Sequence, residues 1–265
     1  MKHDIKIGTS GYSYDDWRGN FYPENIKSPE MLAYYCRFFT ALELNVTYYT
    51  IPPISTFERI CHKTPERFDF IVKTNQETTH RRRENEPAIA KLLDSVQPLI
   101  EADKFHGFLA QFPYSFKNTE ENRKYLVQTR QLIGKLPLFV EFRHNSWSKD
   151  PVNSFLSNHD IGYVNVDEPQ LAGLLAPQTI VTSQNGYIRF HGRNSRDWWE
   201  GKGSARYDYE YKENELEEWL IHISNILKKA FKTYIFFNNH PGGKAVKNAE
   251  QMLEILRKNL DPKGK

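Results

Sequence analysis

The sequence predicts a single-domain α/β protein of the closed (β/α)8 TIM-barrel class, on three observations. Short β-branched or aromatic runs recur eight times along the 265 residues. Helix-compatible stretches separate them, and strict alternation of that kind argues for a parallel sheet. Most of the strands carry one apolar face and one face that turns polar toward the C-terminal end, where barrel enzymes keep their active sites. Eight such units in a chain close to the usual ~250 residues favour a closed barrel over an open doubly wound sheet. No Pro/Gly/Ser-rich linker divides residues 1–265, so one domain is expected.

The strand candidates are 5–10, 41–46, 68–74, 107–112, 138–143, 162–167, 187–191 and 233–238. Helices are expected over 28–40, 53–63, 87–103, 119–133, 151–158, 168–175, 214–231 and 245–259. Ser28-Pro29-Glu30 and Thr119-Glu120-Glu121 read as helix starts, with a capping hydroxyl ahead of early acids. Alternation sets Glu43 and Asn45 on the face opposite Leu42 and Leu44. It likewise sets Glu141 and Arg143 opposite Val140 and Phe142, and Arg189 and His191 opposite Ile188 and Phe190. Asn165 and Asp167 oppose Val164 and Val166, while Lys73, Gln111 and Asn238 each follow an apolar residue on their own face. The polar face is expected to line the barrel lumen and its C-terminal rim.

Composition narrows the function classes. A net charge of +3 is too mild to mark a dedicated nucleic-acid binder. The cluster His80-Arg81-Arg82-Arg83 reads either as a solvated loop or as an anion-contacting lip. Cys36 and Cys61 have no metal or redox spacing and suit a reduced, cytoplasmic protein. The N-terminus shows no apolar signal region, and no apolar run approaches the ~18 residues that span a bilayer, so no membrane partner is expected.

Two segments carry local chemistry. Asn238-Asn239-His240-Pro241-Gly242-Gly243 leads into a helix near Ala245, and a helix N-terminus behind glycines can present N–H groups to an anion. Strand 7 ends in His191-Gly192-Arg193 beside it. The long 193–211 segment mixes Trp198, Trp199, Tyr207, Tyr209 and Tyr211 with Arg193, Arg196, Lys202 and Arg206. It reads equally as a lid or as a stacking surface for nucleobases or sugars. Glu43, Glu141, Asp167 and His191 are a conceivable metal set, as in metal-dependent sugar isomerases, but the interleaved cations compete for those carboxylates, so a divalent metal is not favoured. Paired carboxylates also suit glycosidases. No Walker loop, G-x-G-x-x-G, G-x-S-x-G or H-E-x-x-H occurs, so no nucleotide cofactor is expected.

The opening Gly8-Thr-Ser-Gly-Tyr-Ser-Tyr-Asp-Asp-Trp-Arg-Gly-Asn-Phe-Tyr-Pro23 is similar to the G-T-S-G-W-x-Y-x-x-W-x-G-x-F-Y-P start of the YecE-like family, a domain of unknown function. The resemblance continues through Glu43-Leu-Asn-Val-Thr-Tyr-Tyr49, Lys73 with Thr79-His80, Gln111-Phe-Pro113 and Glu141-Phe-Arg-His-Asn-Ser-Trp147. Arg189-Phe-His-Gly192 and Phe237-Asn-Asn239 with Asn248-Ala249 complete it, over about residues 5–257. Tyr12 stands where the family has Trp, and Tyr114 where a second Pro is common, a change expected to loosen that loop without touching the pocket. The resemblance implies a barrel and brings no established reaction.

The functional expectation is an enzyme acting on a phosphorylated or otherwise anionic small molecule. Lys73, Arg143 and Arg189 hold the anion or stabilise developing charge. Glu141 and Glu43 perform acid–base work with His191. Asn45, Gln111, Asp167 and Asn238 orient the ligand, Tyr12, Trp17, Trp147 and His80 line the rim, and His144, Gly192 and Asn239 belong to the same mouth. The rival readings are a nucleic-acid binder or repair nuclease, a sugar isomerase-like or glycosidase-like enzyme, and a non-catalytic scaffold.

Overall fold

All eight expected strands are present. The computed structural model describes residues 4–260, so the ends of the expected domain, 1–3 and 261–265, lie outside the described residues. The strands are β1 (Asp4–Thr9), β2 (Ala41–Leu44), β3 (Asp69–Lys73), β4 (Phe105–Gln111), β5 (Leu138–Glu141), β6 (Gly162–Asp167), β7 (Asn185–Phe190) and β8 (Lys232–Phe237). Every pairing is parallel, in the order β1-β8-β7-β6-β5-β4-β3-β2. The helices are α1 (Met31–Tyr35), α2 (Val46–Tyr49), α3 (Ile54–His62), α4 (Asn85–Glu101), α5 (Glu120–Ile133), α6 (Asp150–Asn158), α7 (Glu213–Glu217), α8 (Leu220–Leu227) and α9 (Lys244–Leu260). The result is an α/β (β/α)8 barrel, with the expected cap on α5: Thr119 accepts from the Asn122 N–H at 3.2 Å.

Three connections differ from expectation. The first helix ends at Tyr35 rather than at 40, because the chain must turn Phe39 into the core. The one-turn α2 begins at Val46, the last residue of the expected strand 41–46, so β2 ends early at Leu44. No helix forms over 168–175. There Glu168 turns inward to accept from the Leu175 N–H at 3.1 Å, and Gly173 takes a φ of +87° beneath Tyr114, where a Cβ would lie 2.1 Å from the phenol oxygen.

The seam between β1 and β2 closes the barrel with few backbone bonds. One bridge joins Ser10 to Glu43, and the Gly11 N–H donates to the Glu43 carbonyl at 2.8 Å. Tyr35 supplies the rest, since its buried hydroxyl accepts from the Thr9 N–H at 2.9 Å and reaches the Ala41 carbonyl at 3.2 Å. The strands approach so closely that a Cβ on Gly8 would sit 2.1 Å from the Ala41 oxygen. Backbone is met there, so the neighbour cannot rotate away. Gly8→Ala should therefore cost about 1–3 kcal/mol through overpacking, measured by urea denaturation; an unchanged midpoint would mean that the seam yields freely.

Register fixes what fills the lumen. Ala41 pairs with Asp69, Glu43 with Ile71, Gln111 with Glu141, Phe139 with Gly162 and Arg189 with Phe236. An apolar plug of Phe139, Tyr187, Tyr234 and Phe236 occupies the middle, with ring centroids 5.0 to 6.3 Å apart. Charge lies at both ends. At the N-terminal end Asp69 meets Lys232 at 2.8 Å and His106 at 3.3 Å, and accepts from the Tyr234 hydroxyl at 3.0 Å. Burial raises this carboxyl, but His106 and Lys232 outweigh it and hold the group well below the usual carboxylate range.

Strand β6 reverses the expected faces. Val164 aligns with Tyr187 and Val166 with Arg189, so the valines fill the lumen and Asn165 and Asp167 point outward. The absent helix explains why an outward face is polar. The bare 176–182 loop covers it, and the Asn165 amide bonds both the N–H and the carbonyl of Ile180 at 2.9 Å.

Candidate functional site

The C-terminal ends of the strands open into a cavity of about 660 Å³. Strand ends and their following residues bring Asn45, Lys73, Gln111, Arg143 and Asn238 to its wall. The helix α2 adds Tyr48 and Tyr49, the strand-to-helix connections add Tyr14, His80, Pro113, Tyr114, Leu174 and His240, and the 193–211 segment closes one side with Trp198, Trp199, Gly203, Ser204, Arg206 and Tyr207. Three cations line this wall and no carboxylate does. His80 and His240 add no charge at neutral pH. Burial, then the neighbouring Lys73 and Arg143, push His80 down to about 4, and burial lowers His240.

The carboxylates lie directly beneath. Arg189 is 1% exposed and is gripped from two sides, by Glu141 at 2.5 Å and Glu43 at 2.6 Å. Ser10 accepts from it at 3.2 Å, and the Tyr187 hydroxyl donates to the other oxygen of Glu43 at 2.6 Å. Arg143 sits one step higher, 2.7 Å from Glu141, 3.0 Å from Glu168 and 5.5 Å below the Trp198 ring. His191 is wedged between Arg143 at 3.2 Å, Glu141 at 3.2 Å and the Asn238 amide at 3.1 Å. Burial and then Arg143 push this imidazole down to about 3, so it is neutral. Burial raises Glu141, yet Arg143, Arg189 and His191 together hold it well below the normal range. Burial pushes Glu168 up to about 7, against the pull of Arg143. The floor therefore fixes the Arg143 guanidinium in place with one face toward the cavity.

Of the four residues expected to carry the chemistry, Lys73 reaches the wall, whereas Glu43, Glu141 and His191 are wholly buried under it. Asn45, His80, Gln111, Arg143 and Asn238 also line the cavity, and Arg189 lies in the floor. The remaining expected residues are elsewhere. Asp167 points out of the barrel and accepts from Arg193, Tyr211 and Trp219. Trp17 is buried and donates to the His240 carbonyl at 2.7 Å, and Trp147 is buried between Phe142 and Phe116. Tyr12 packs on Tyr35, and His144 accepts from the Ser146 N–H to cap the turn Asn145–Trp147. The Gly192 N–H donates to the Tyr211 hydroxyl at 2.8 Å, and Asn239 is buried against Asn248 and the Tyr209 carbonyl.

Two expectations about loops change in the same way. The Gly242-Gly243 turn before α9 offers its N–H to a carboxylate already present, with Gly242 donating to Asp16 at 2.7 Å. Tyr114, expected to stay clear of the pocket, lines it and packs on Trp199 at 4.9 Å. In the 193–211 segment the aromatics divide. Trp198 and Tyr207 face the cavity, while Tyr209 and Tyr211 turn to Glu215 and Asp167. The four residues conceived as a metal set do not converge, since Asp167 faces away from the other three. Glu168, Tyr14, Tyr48 and Arg206 are not among the site residues expected from sequence; Tyr14 and Tyr48 lie within the family-like motifs, Arg206 within the 193–211 segment, and Glu168 immediately after β6.

Comparison with known proteins places this architecture. The family model described as "Protein of unknown function DUF72" matches residues 6–264. The UPF0759 protein YunF of Bacillus subtilis is 33% identical over 269 residues, spanning 95% of this chain and 94% of the relative. A DUF72 family protein from Thermotoga maritima superposes with a TM-score of 0.90 at 40% identity, over 96% of this chain and all (100%) of that one. One from Enterococcus faecalis gives 0.84 at 29% identity, over 96% and 95%. Among the described residues no helix is long and apolar enough to cross a membrane. The motifs, the barrel and these relatives agree that the chain belongs to the DUF72 family, the YecE-like family of unknown function.

Proposed function

We propose that the chain is an enzyme acting on a phosphorylated or otherwise anionic small molecule held in the rim cavity. One observation carries this reading: Lys73, Arg143 and Arg206 line a concave space of about 660 Å³ whose wall holds no carboxylate. That size suits a small metabolite, since ligand cavities run from roughly 300 to 1,000 Å³. Arg143 is pre-aligned by Glu141 and Glu168, so its charge is in place before a ligand arrives, which favours charge stabilisation in a transition state. Glu43, Glu141 and His191 act as positioning groups beneath the wall, and His80 is the neutral imidazole placed to exchange a proton with a ligand. Asn45 lines the same cavity, and its buried Oδ1 has no hydrogen-bond donor among the described residues. The free thiols of Cys36 and Cys61 are in keeping with a reducing, cytoplasmic setting.

The basic run at 80–83 gives little support to a nucleic-acid surface. Arg81 pairs with Glu77 at 2.7 Å, and Arg82 bonds Asn122 and lies 5.2 Å over the Phe116 ring. A thermal-shift series tests the choice, using inorganic phosphate, sugar phosphates, 2-oxo acids, neutral sugars, divalent metals and short DNA. A ligand at 100 times its Kd adds about 2.7 kcal/mol and raises the midpoint by several degrees. Phosphates and carboxylates should give that shift, and Arg206→Gln should remove most of it while leaving the unliganded midpoint unchanged. A shift confined to neutral sugars, or to DNA with a steep salt dependence, would replace the proposal.

A further inference from the structure

We propose that Lys73 is a covalent catalyst, its amine condensing with the aldehyde or ketone carbonyl of the bound anion to give a protonated imine. The proposal rests on the anion-site reading above and narrows its substrate class to anionic carbonyl compounds.

The geometry sets Lys73 apart from the two guanidiniums of the floor. Arg143 and Arg189, which flank it from below, each touch two carboxylates. Lys73 makes no ion pair with a carboxylate among the described residues. Its Nζ donates to a neutral acceptor, Gln111 Oε1, at 3.1 Å and rests 4.7 Å from the centre of the Tyr48 ring. A lysine meant only to hold an anion, or only to balance the floor, gains from a carboxylate neighbour that keeps it charged. Here the two guanidiniums absorb the carboxylates, and Lys73 faces the cavity with the positive field of both behind it. Burial, then Arg189 and Arg143, outweigh the carboxylates and push the ammonium down to about 8. Desolvation and a cationic neighbour are the established means of making a lysine amine nucleophilic.

The step balances without a further reagent. The ammonium first releases a proton, the Nζ lone pair forms the C–N bond, and the carbonyl π pair moves to oxygen. The carbinolamine then loses that oxygen as water, taking up two protons, one of them shed by nitrogen on attack. Ammonium plus carbonyl thus becomes protonated imine plus water. The proton transfers are assigned to His80, which lines the same cavity, lies 5.1 Å from the Tyr48 ring and is neutral at working pH. The imine, once formed, withdraws electrons from the adjacent carbon, which serves carbon–carbon cleavage, condensation or proton exchange.

The test traps the adduct on the full chain. Pyridoxal phosphate, used as a phosphorylated aldehyde, and pyruvate, used as a carboxylated ketone, are each incubated with the protein and reduced with borohydride or cyanoborohydride. Peptide mass mapping then locates the modified lysines. Lys73 should be labelled ahead of the surface lysines, with a rate rising through a pH of about 8 rather than toward the ordinary lysine range. Inorganic phosphate should protect it, and Lys73→Arg should lose the adduct. Phosphate stabilisation with labelling spread over surface lysines would overturn the imine and leave the anion site standing. A Lys73 adduct that phosphate does not protect would uphold the imine and remove the anion reading. Neither phosphate stabilisation nor a Lys73 adduct would remove both.

Discussion

Arg189→Met should lower stability by about 3–5 kcal/mol and the thermal midpoint by roughly 10 °C. The side chain fills the lumen above the aromatic plug and neutralises two carboxylates that have no access to water, Glu43 and Glu141. Methionine replaces the volume but not the charge. Glu141 keeps Arg143 at 2.7 Å, while Glu43 keeps only the Tyr187 hydroxyl at 2.6 Å among the described residues. The loss should therefore fall mostly on Glu43, and adding Glu43→Gln should recover a large part of it, a coupling that a double-mutant cycle measures directly. The pH dependence has a definite sign. Arg189 helps to hold the Glu141 carboxyl well below its usual range, a stabilisation present above the unfolded carboxylate value and lost as pH falls, so the deficit of the variant shrinks in acid. A change below about 1 kcal/mol, the scale of a surface ion pair, would show that water reaches the floor and that the network does not hold the mouth together.

The same network explains what could be read in the sequence. Alternation along β2, β5 and β7 placed Glu43, Glu141 and Arg189 on one face correctly, because apolar partners such as Leu42, Val140 and Ile188 lie on the other. It failed on β6. There the rule that polar residues turn to the lumen assumes a helix over the outer face, and the connection after β6 has none. Asn165 and Asp167 are polar because they complete a helix-free wall. The aromatic motif residues Trp17 and Trp147, expected at the rim, are both buried with their indole N–H groups satisfied by carbonyls. The charged floor at the other end of the barrel, around Asp69, gave no pattern, since its members come singly from distant strands. Arg206 and Tyr14 join the cavity from loops, where no periodicity reports direction.

Asp167→Ala should be comparably destabilising, by about 3–5 kcal/mol, and it should open the 193–211 segment. This carboxylate is 1% exposed and accepts from Arg193 at 2.8 and 3.0 Å, from the Tyr211 hydroxyl at 2.6 Å and from the Trp219 indole at 2.7 Å. Arg193 and Tyr211 are the two ends of the segment, so one side chain closes the base of the loop. Between them lie Trp198, Arg206 and Tyr207, which form one wall of the cavity. Removing the carboxylate strands two buried donors, each worth about 1–3 kcal/mol, and leaves the Arg193 charge with Glu215 and Glu218 alone. Limited proteolysis should then cut within 193–211 in the variant and spare the wild type, with phosphate binding lost in parallel. Asp167 thus braces one wall of the cavity through the loop, from outside the barrel, and a variant that lost phosphate binding with unchanged stability and an uncut loop would instead place the carboxylate in contact with the ligand.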